Sequence, residues 1–252
     1  MIQFKRNLKL ICNRALICCA VILLIIISLS IFTNLITPIE NKIKELLYDI
    51  TYKSGFELKS VEIIGAKNAN IHPQEIIHIT GKKLSIFQVN LPDLQQNIFN
   101  NSWVDKVVVH RLLPNTIKII INEKSPFAIW QCDGNFSVID KEGEIITKHI
   151  PTTCQNLPHI IGKNANINAL PFLSLLNQYP AVKSIVQSTN YRNLRRWDIV
   201  TTRDQLVKLP EKNLEKAFKY LNTLANNGSL NDNNITMIDL RDNKRYYIRK
   251  RS

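Results

Sequence analysis

The chain has 252 residues, 45% of them apolar, so it can build one large domain or two small ones around a true core. Its formal charge of +13 favours an anionic partner or surface and says nothing about fold; abundant Asn, Ile and Lys beside only 7 Gly mark an AT-rich coding bias, which inflates Lys. So few glycines exclude repeated phosphate-cradling loops, and no G-x-x-x-x-G-K-[ST] sequence occurs.

Residues 15–32, ALICCAVILLIIISLSIF, carry no charge. At ~1.5 Å per residue a helix of that length covers ~27 Å, close to the ~30 Å hydrocarbon core of a bilayer. Uncharged sequence continues to Ile39, and Lys5, Arg6, Lys9 and Arg14 precede the run with no acid among them. By the positive-inside rule residues 1–14 stay in the cytoplasm and everything after residue 40 lies outside. The rival is a cleaved signal peptide, whose apolar run would be about 7–15 residues and end at small side chains. FTNLITPIE offers only bulky or polar ones, so an uncleaved anchor over 15–37 is expected.

Residues 38–55 predict a short connector helix, with Ile39, Ile43, Leu46 and Leu47 near helical spacing and Gly55 ending it. In LKSVEIIG, Val61 and Ile63 share one face, Ser60 and Glu62 the other, and Gly65 closes a strand with one buried side. HPQEIIHIT reads as a helix with Pro73 in its first turn and Ile76 and Ile77 as apolar contacts. NLPDLQQNIFNNSW reads as a second, capped by Asn90, with Asp93 in its first turn and a stripe of Leu91, Leu94 and Ile98. VDKVVVHRLLPNTIKIIINE is a hairpin about LPNT that turns Val107, Val109, Ile117, Ile119 and Ile121 inward onto Ile76, Leu94 and Ile98.

Beyond residue 124, FSVIDKEGEII is a hairpin turning at Lys141-Glu142-Gly143. NLPHIIG follows, then a helix from Asn168 through Phe172, Leu175 and Leu176. NLRRWDIVTTRDQLVKLP is two strands around a polar turn, and EKNLEKAFKYLNTLAN is a helix with Leu214, Ala217, Phe218, Leu221, Leu224 and Ala225 on one face. NITMIDLRDNKRYYIRK is the last strand region, with Tyr246 and Ile248 on one face and Tyr247 and Arg249 on the other. Tyrosine and arginine suit an interface; the plain alternative is an edge strand kept soluble by charge.

Catalytic patterns are missing. His72, His78, His110, His149 and His159 are dispersed, with no H-E-x-x-H, no metal-ligand spacing and no G-x-S-x-G turn, so no catalytic, cofactor or metal residue is assigned. Asp239 and Asp242 fall on opposite faces of a strand and form no carboxylate pair. Cys132 and Cys154 lie outside the membrane and either pair, closing a loop of about 20 residues worth about 3 kcal/mol, or remain free thiols.

SVEIIG, GKKLSIFQVNLPDLQQ and SWVDKVVVHRLLPNTIKIIINEKSPFAIW stand in one order over about seventy residues, and together they resemble the POTRA (polypeptide-transport-associated) domain. Its landmarks are Trp103-Val104, Val109-His110-Arg111, Pro114 and Glu123-Lys124-Ser125-Pro126. No repeating amphipathic strands for an outer-membrane barrel follow. One span, one POTRA domain and a β-rich second domain, together with RRWDI, VKLP and IDLR, resemble the FtsQ/DivIB family of bacterial division proteins; the twin-tyrosine terminal strand matches no pattern of it.

The resemblance implies an α+β protein: a single N-terminal transmembrane helix, a POTRA domain over 56–124 in the order β-α-α-β-β, and a mixed β-sheet domain with flanking helices over 125–252. It implies a non-enzymatic inner-membrane scaffold at the septum, binding FtsB/FtsL-type single-span partners from the periplasmic side and no nucleic acid or small molecule. The implied contact is the last strand, Arg245, Tyr246, Tyr247, Ile248 and Arg249, with Arg195 and Arg196 nearby. A POTRA-based translocation helper and a secreted, basic polymer binder are the alternatives. Protease added to spheroplasts should digest the chain from its C-terminus; a protected C-terminus would reverse the topology.

Overall fold

The computed structural model describes residues 40–74, 76, 84–242 and 245–251. The expected membrane anchor lies outside the described residues, as do Ile77, His78 and most of the first expected POTRA helix. Among the described residues no helix is long and apolar enough to cross a membrane. The chain forms two compact units: the first gathers residues up to Ile63 with His72–Leu94 and Val109–Ile119, the second Ile64–Ile71, Gln95–Val108 and Ile120–Ser252.

In the first unit, helix α1 covers residues 40–53. It ends because Gly55, at φ +94°, takes the left-handed conformation that other residues resist. The Phe56 N–H then reaches the Thr51 carbonyl and the Gly55 N–H the Tyr52 carbonyl, both at 3.1 Å, which satisfies carbonyls the helix leaves open. A single turn, Ile86–Gln88, has a reciprocal cap: the Phe87 N–H donates to Ser85 Oγ, and the Ser85 N–H to Gln88 Oε1. Arg111 crosses to this turn and donates to the carbonyls of Ile86 and Val89 at 2.9 and 2.8 Å.

Strands β1 (Ser60–Ile64), β2 (Val104–Leu112) and β3 (Thr116–Glu123) form a sheet in the order β1-β3-β2, and helix α2 covers Leu91–Phe99. Ile76, Leu94, Ile98, Val107, Ile117, Ile119 and Ile121 are buried as expected, but Val109 is only half-buried. Along β2 the buried positions are Val104 and Val107, three apart, so the two-residue alternation breaks once. Gly65 is obligatory: it sits at φ +93°, and a Cβ there would lie 2.0 Å from the Ile121 carbonyl oxygen.

The second unit is built on a nine-stranded sheet in the order β12-β11-β10-β9-β8-β7-β4-β5-β6. Its strands are β4 (Ala128–Cys132), β5 (Asn135–Ile139), β6 (Ile145–Thr147), β7 (His159–Ile161), β8 (Val186–Arg192), β9 (Arg196–Thr201), β10 (Leu206–Lys208), β11 (Ile235–Asp239) and β12 (Tyr247–Lys250). Three helices belong to it: α3 (Ala169–Leu176), α4 (Pro180–Lys183) and α5 (Leu214–Asn226). The expected stripe of α5 is its packed face: Ala217, Phe218 and Leu221 are buried in the main core, with Leu214, Leu224 and Ala225 packed against it. Phe172 of α3 stacks on Trp197 of β9 at 4.4 Å and meets Phe218 at 5.8 Å.

The Cys132–Cys154 disulfide is not formed; both thiols are free. Cys154 is buried with Val138 and Ile146, whereas Cys132 ends β4 opposite Asn135 and its thiol reaches Asp133 at 3.6 Å.

Glu123 organises the start of this unit. Its carboxylate accepts from the backbone N–H groups of Lys67, Asn68 and Ala69 at 2.6, 2.7 and 2.8 Å and from the Asn68 amide at 2.8 Å. Partial burial works to raise its pKa, but these four hydrogen bonds prevail and lower it below the ordinary 4.5. A depressed carboxylate stabilises the fold fully above its ordinary pKa and loses that contribution as pH falls through the lower folded value. Glu123→Gln should therefore cost about 1–2 kcal/mol at neutral pH, and urea titrations of the two proteins should converge as the pH is taken down through the carboxylate range.

Candidate functional site

Strand β12 ends the sheet and pairs with β11 alone among the described residues. It runs antiparallel in the register Asp239↔Tyr247, Ile238↔Ile248, Met237↔Arg249 and Ile235↔Lys250, with an irregularity between Ile235 and Met237. All four of its residues are exposed, as are Arg245 and Tyr246 before it.

Residues opposite one another on adjacent strands share a face, so the registers sort the edge side chains. Ile248 continues the row Ile199, Val207 and Ile238, which is buried within the main core. At the edge that row comes into the open: Ile248 is 41% exposed. Tyr247 continues the other row, Asp198, Lys208 and Asp239, on the opposite face.

The strand is tied at both ends. Tyr246 packs on Tyr220 of α5 with ring centroids 4.5 Å apart, and burial, then the Tyr246 hydroxyl, push the Tyr220 phenol well above its ordinary pKa. At the far end Lys250 pairs with Asp232 at 3.2 Å, the Thr236 hydroxyl donates to the Arg249 carbonyl, and the Arg251 N–H donates to the Asn234 carbonyl at 2.6 Å. Beside Tyr246 lies a cavity of ≈ 200 Å³ whose walls include Pro210, Ala217, Tyr220, Leu240 and Arg245.

The polar row is internally compensated. Asp239 is held by Arg241, whose Nη2 reaches it at 2.6 Å and whose Nε reaches both oxygens at 2.9 and 3.0 Å. Those bonds carry the Asp239 pKa below its usual value despite burial, and they anchor the chain as it leaves β11 toward β12. Asp198 is the opposite case: burial raises its pKa, and Arg196, Arg192 and Lys208 only partly offset that. Arg196 Nε stands 3.5 Å from Asp198 Oδ1, and neither atom has a hydrogen-bond partner.

The residues singled out in the sequence thus fall into two places. Arg245, Tyr246, Tyr247, Ile248 and Arg249 line one continuous edge. Arg195 and Arg196 stand in the β8–β9 turn and at the start of β9, three strands and so ~14 Å from β12. Arg195 is exposed, whereas Arg196 is half-buried against Asp198. Asp198, the Asp239–Arg241 clamp and Tyr220 escaped the sequence reading. For the first two a signal existed: Arg196 and Asp198, like Asp239 and Arg241, are two residues apart, the strand period. Among the described residues no cluster of His, Cys, Asp or Glu could hold a metal ion.

The three-stranded sheet, and all of the nine-stranded sheet but β12, fall within stretches that match known domains. Residues 56–124 match the FtsQ-type POTRA domain, and residues 128–241 match the C-terminal domain of cell division protein FtsQ/DivIB. The chain is 34% identical over 250 residues to a Rickettsia felis protein called Cell division protein FtsQ, covering 99% of this chain and 93% of that one. Proteins of the same name from Rickettsia bellii and Caulobacter vibrioides are 38% identical over 209 residues and 31% over 206, covering 82% and 81% of this chain and 78% and 68% of theirs. The chain belongs to the FtsQ/DivIB family of cell-division proteins. The C-terminal match stops at residue 241, so β12 lies beyond it.

Because Arg196 faces a buried carboxylate, its removal should act on the fold. Arg196→Ala should lower stability by about 2 kcal/mol, by removing the nearest of the charges that offset Asp198, while Arg195→Ala changes it by less than about 0.5 kcal/mol. Chemical denaturation of the two variants distinguishes them.

Proposed function

We propose that the chain is a membrane-anchored, non-enzymatic scaffold of the division machinery. Its N-terminus lies in the cytoplasm and its outer domain in the periplasm, enriched at the septum. The outer domain captures extended segments of FtsB/FtsL-type single-span partners by strand addition to β12, linking them to other divisome proteins.

One observation carries this reading: among the described residues the outer side of β12 is without a strand neighbour, and the strand is held at both ends while all four of its side chains stay exposed. An added strand would complete the main-chain ladder, and alternate side chains would select the partner. On one face the partner would extend the apolar row that surfaces at Ile248; on the other it would meet Tyr247 and Arg249. The Pro210–Tyr220–Tyr246 cavity offers a seat for an apolar or aromatic partner side chain at the strand's N-terminal end. The positive charges of Arg245 and Arg249 favour an acidic partner segment. Arg195 fits a second, outlying contact at most; Arg196 is already engaged.

The double variant Tyr247→Ala, Arg245→Glu in the full chain removes an exposed aromatic anchor and reverses a charge without touching the core. Titration with the periplasmic segment of the FtsB-type partner should show a loss of ~2–4 kcal/mol, well over tenfold in Kd. Wild-type affinity in a variant with an unchanged circular dichroism spectrum would remove β12 from the interface.

A further inference from the structure

Helix α1 has two unlike sides. Its attachments to its own unit come from one of them: Thr51 Oγ1 lies 2.7 Å from the Ser85 hydroxyl, and the Tyr52 hydroxyl donates to Glu57 at 3.2 Å. Tyr48, Thr51 and Tyr52 are its only half-buried residues, and at 3.6 residues per turn they share an arc of about 100°. Ile43, Leu46, Leu47 and Ile50 occupy an arc of similar width on the opposite side. They are 53%, 61%, 53% and 52% exposed. Lys42 stands at one margin of this stripe, about 40° beyond Leu46. Four large apolar side chains therefore point away from the unit that the helix packs on.

The chain leading into α1 says what covers them. The charge-free run 15–32, uncharged through Ile39, ends just before the stripe begins. With the run in a bilayer, which is the anchor reading proposed above, a few residues tether the stripe to the lipid surface at high effective concentration. A coiled coil with a second copy is the weaker occupant, because residues 40–53 supply two heptads where a stable seam needs three or four.

We propose that α1 lies along the outer membrane–water interface, with Ile43, Leu46, Leu47 and Ile50 at the acyl boundary and Lys42 at the phosphates of anionic lipid. The inference rests on the anchor reading for the tether but has its own readout. The helix then docks the first unit on the bilayer, so that its height above the membrane is set by packing and not by a loose linker.

The test uses the full chain with its 5 cysteines replaced by alanine, reconstituted into vesicles of phosphatidylethanolamine and phosphatidylglycerol. A fluorophore is attached at Leu46→Cys on the stripe or at Glu45→Cys off it, both exposed positions. Lipid carrying a nitroxide near the headgroup should quench the Leu46 probe ~3-fold or more and leave the Glu45 probe nearly unchanged. Equal, weak quenching at both sites would overturn the proposal. So would an unquenched Leu46 position that instead oxidises to a disulfide-linked dimer, which would assign the stripe to a second copy. A probe at Leu24→Cys with a nitroxide at the bilayer centre reads the anchor separately. Quenching at Leu24 without Leu46 defeats the interfacial helix alone; quenching at Leu46 without Leu24 defeats the anchor and leaves the helix on the membrane.

Discussion

The constraint on which the second unit depends is that every main-chain N–H and C=O withdrawn from water needs a partner. The sheet meets it with an antiparallel ladder at each end and parallel pairs, β10–β11, β4–β7 and β7–β8, inside. Parallel neighbours cannot be joined by a tight turn; the chain must cross over, and crossovers carry helices. Here α3 and α4 lie between β7 and β8, and α5 lies between β10 and β11. Residues of α3, α4 and α5 share one core with Ile160, Ile199, Val207 and Ile238. The connectivity thus decides which face becomes apolar. Among the described residues it also leaves the last strand added, β12, with one neighbour, β11.

The opposite face follows from what the first one consumes. With the apolar positions of β9, β10 and β11 committed to the core, alternation delivers Asp198, Lys208 and Asp239 to the other side in one cross-strand row. A row that alternates acid, base and acid limits the cost of its partial burial, and Arg241 completes it at the Asp239 end. The Arg196–Asp198 pair is less well satisfied, with an unmet donor and an unmet acceptor in a half-closed setting. Its Arg is therefore structural before it can be anything else. The edge strand inherits both faces, an apolar row ending at Ile248 and a charged row ending at Tyr247.

Much of this was legible in the sequence, and for a local reason. Helical and strand periods are properties of ten to fifteen consecutive residues, so α5, the β2–β3 hairpin and the β5–β6 hairpin could be placed from spacing alone. Where the period fails, so does the reading. β8 buries Ser188, Thr189 and Asn190 at its centre, without an apolar alternation to announce a strand in the middle of a sheet. The turn at Ile86–Gln88, held by its cap and by side chains of Thr51 and Arg111 from far along the chain, is too short to carry a period.

By itself the sequence determined the elements that carry a regular period, the apolar stripes, the uncharged N-terminal run, the resemblance to a division-protein family and a basic, aromatic terminal strand. Only the tertiary structure decided the strand order that puts β12 at the rim. It also placed Arg196 beside a buried Asp198 and away from that rim, set Tyr220 under Tyr246, and held Cys132 and Cys154 apart. The division is physical. Spacing along a chain fixes which side of an element a residue occupies, because backbone geometry repeats over a few residues. Which element lies next to it is settled by crossovers and core packing among segments far apart in sequence, and partners, pKa shifts and free edges all depend on that choice.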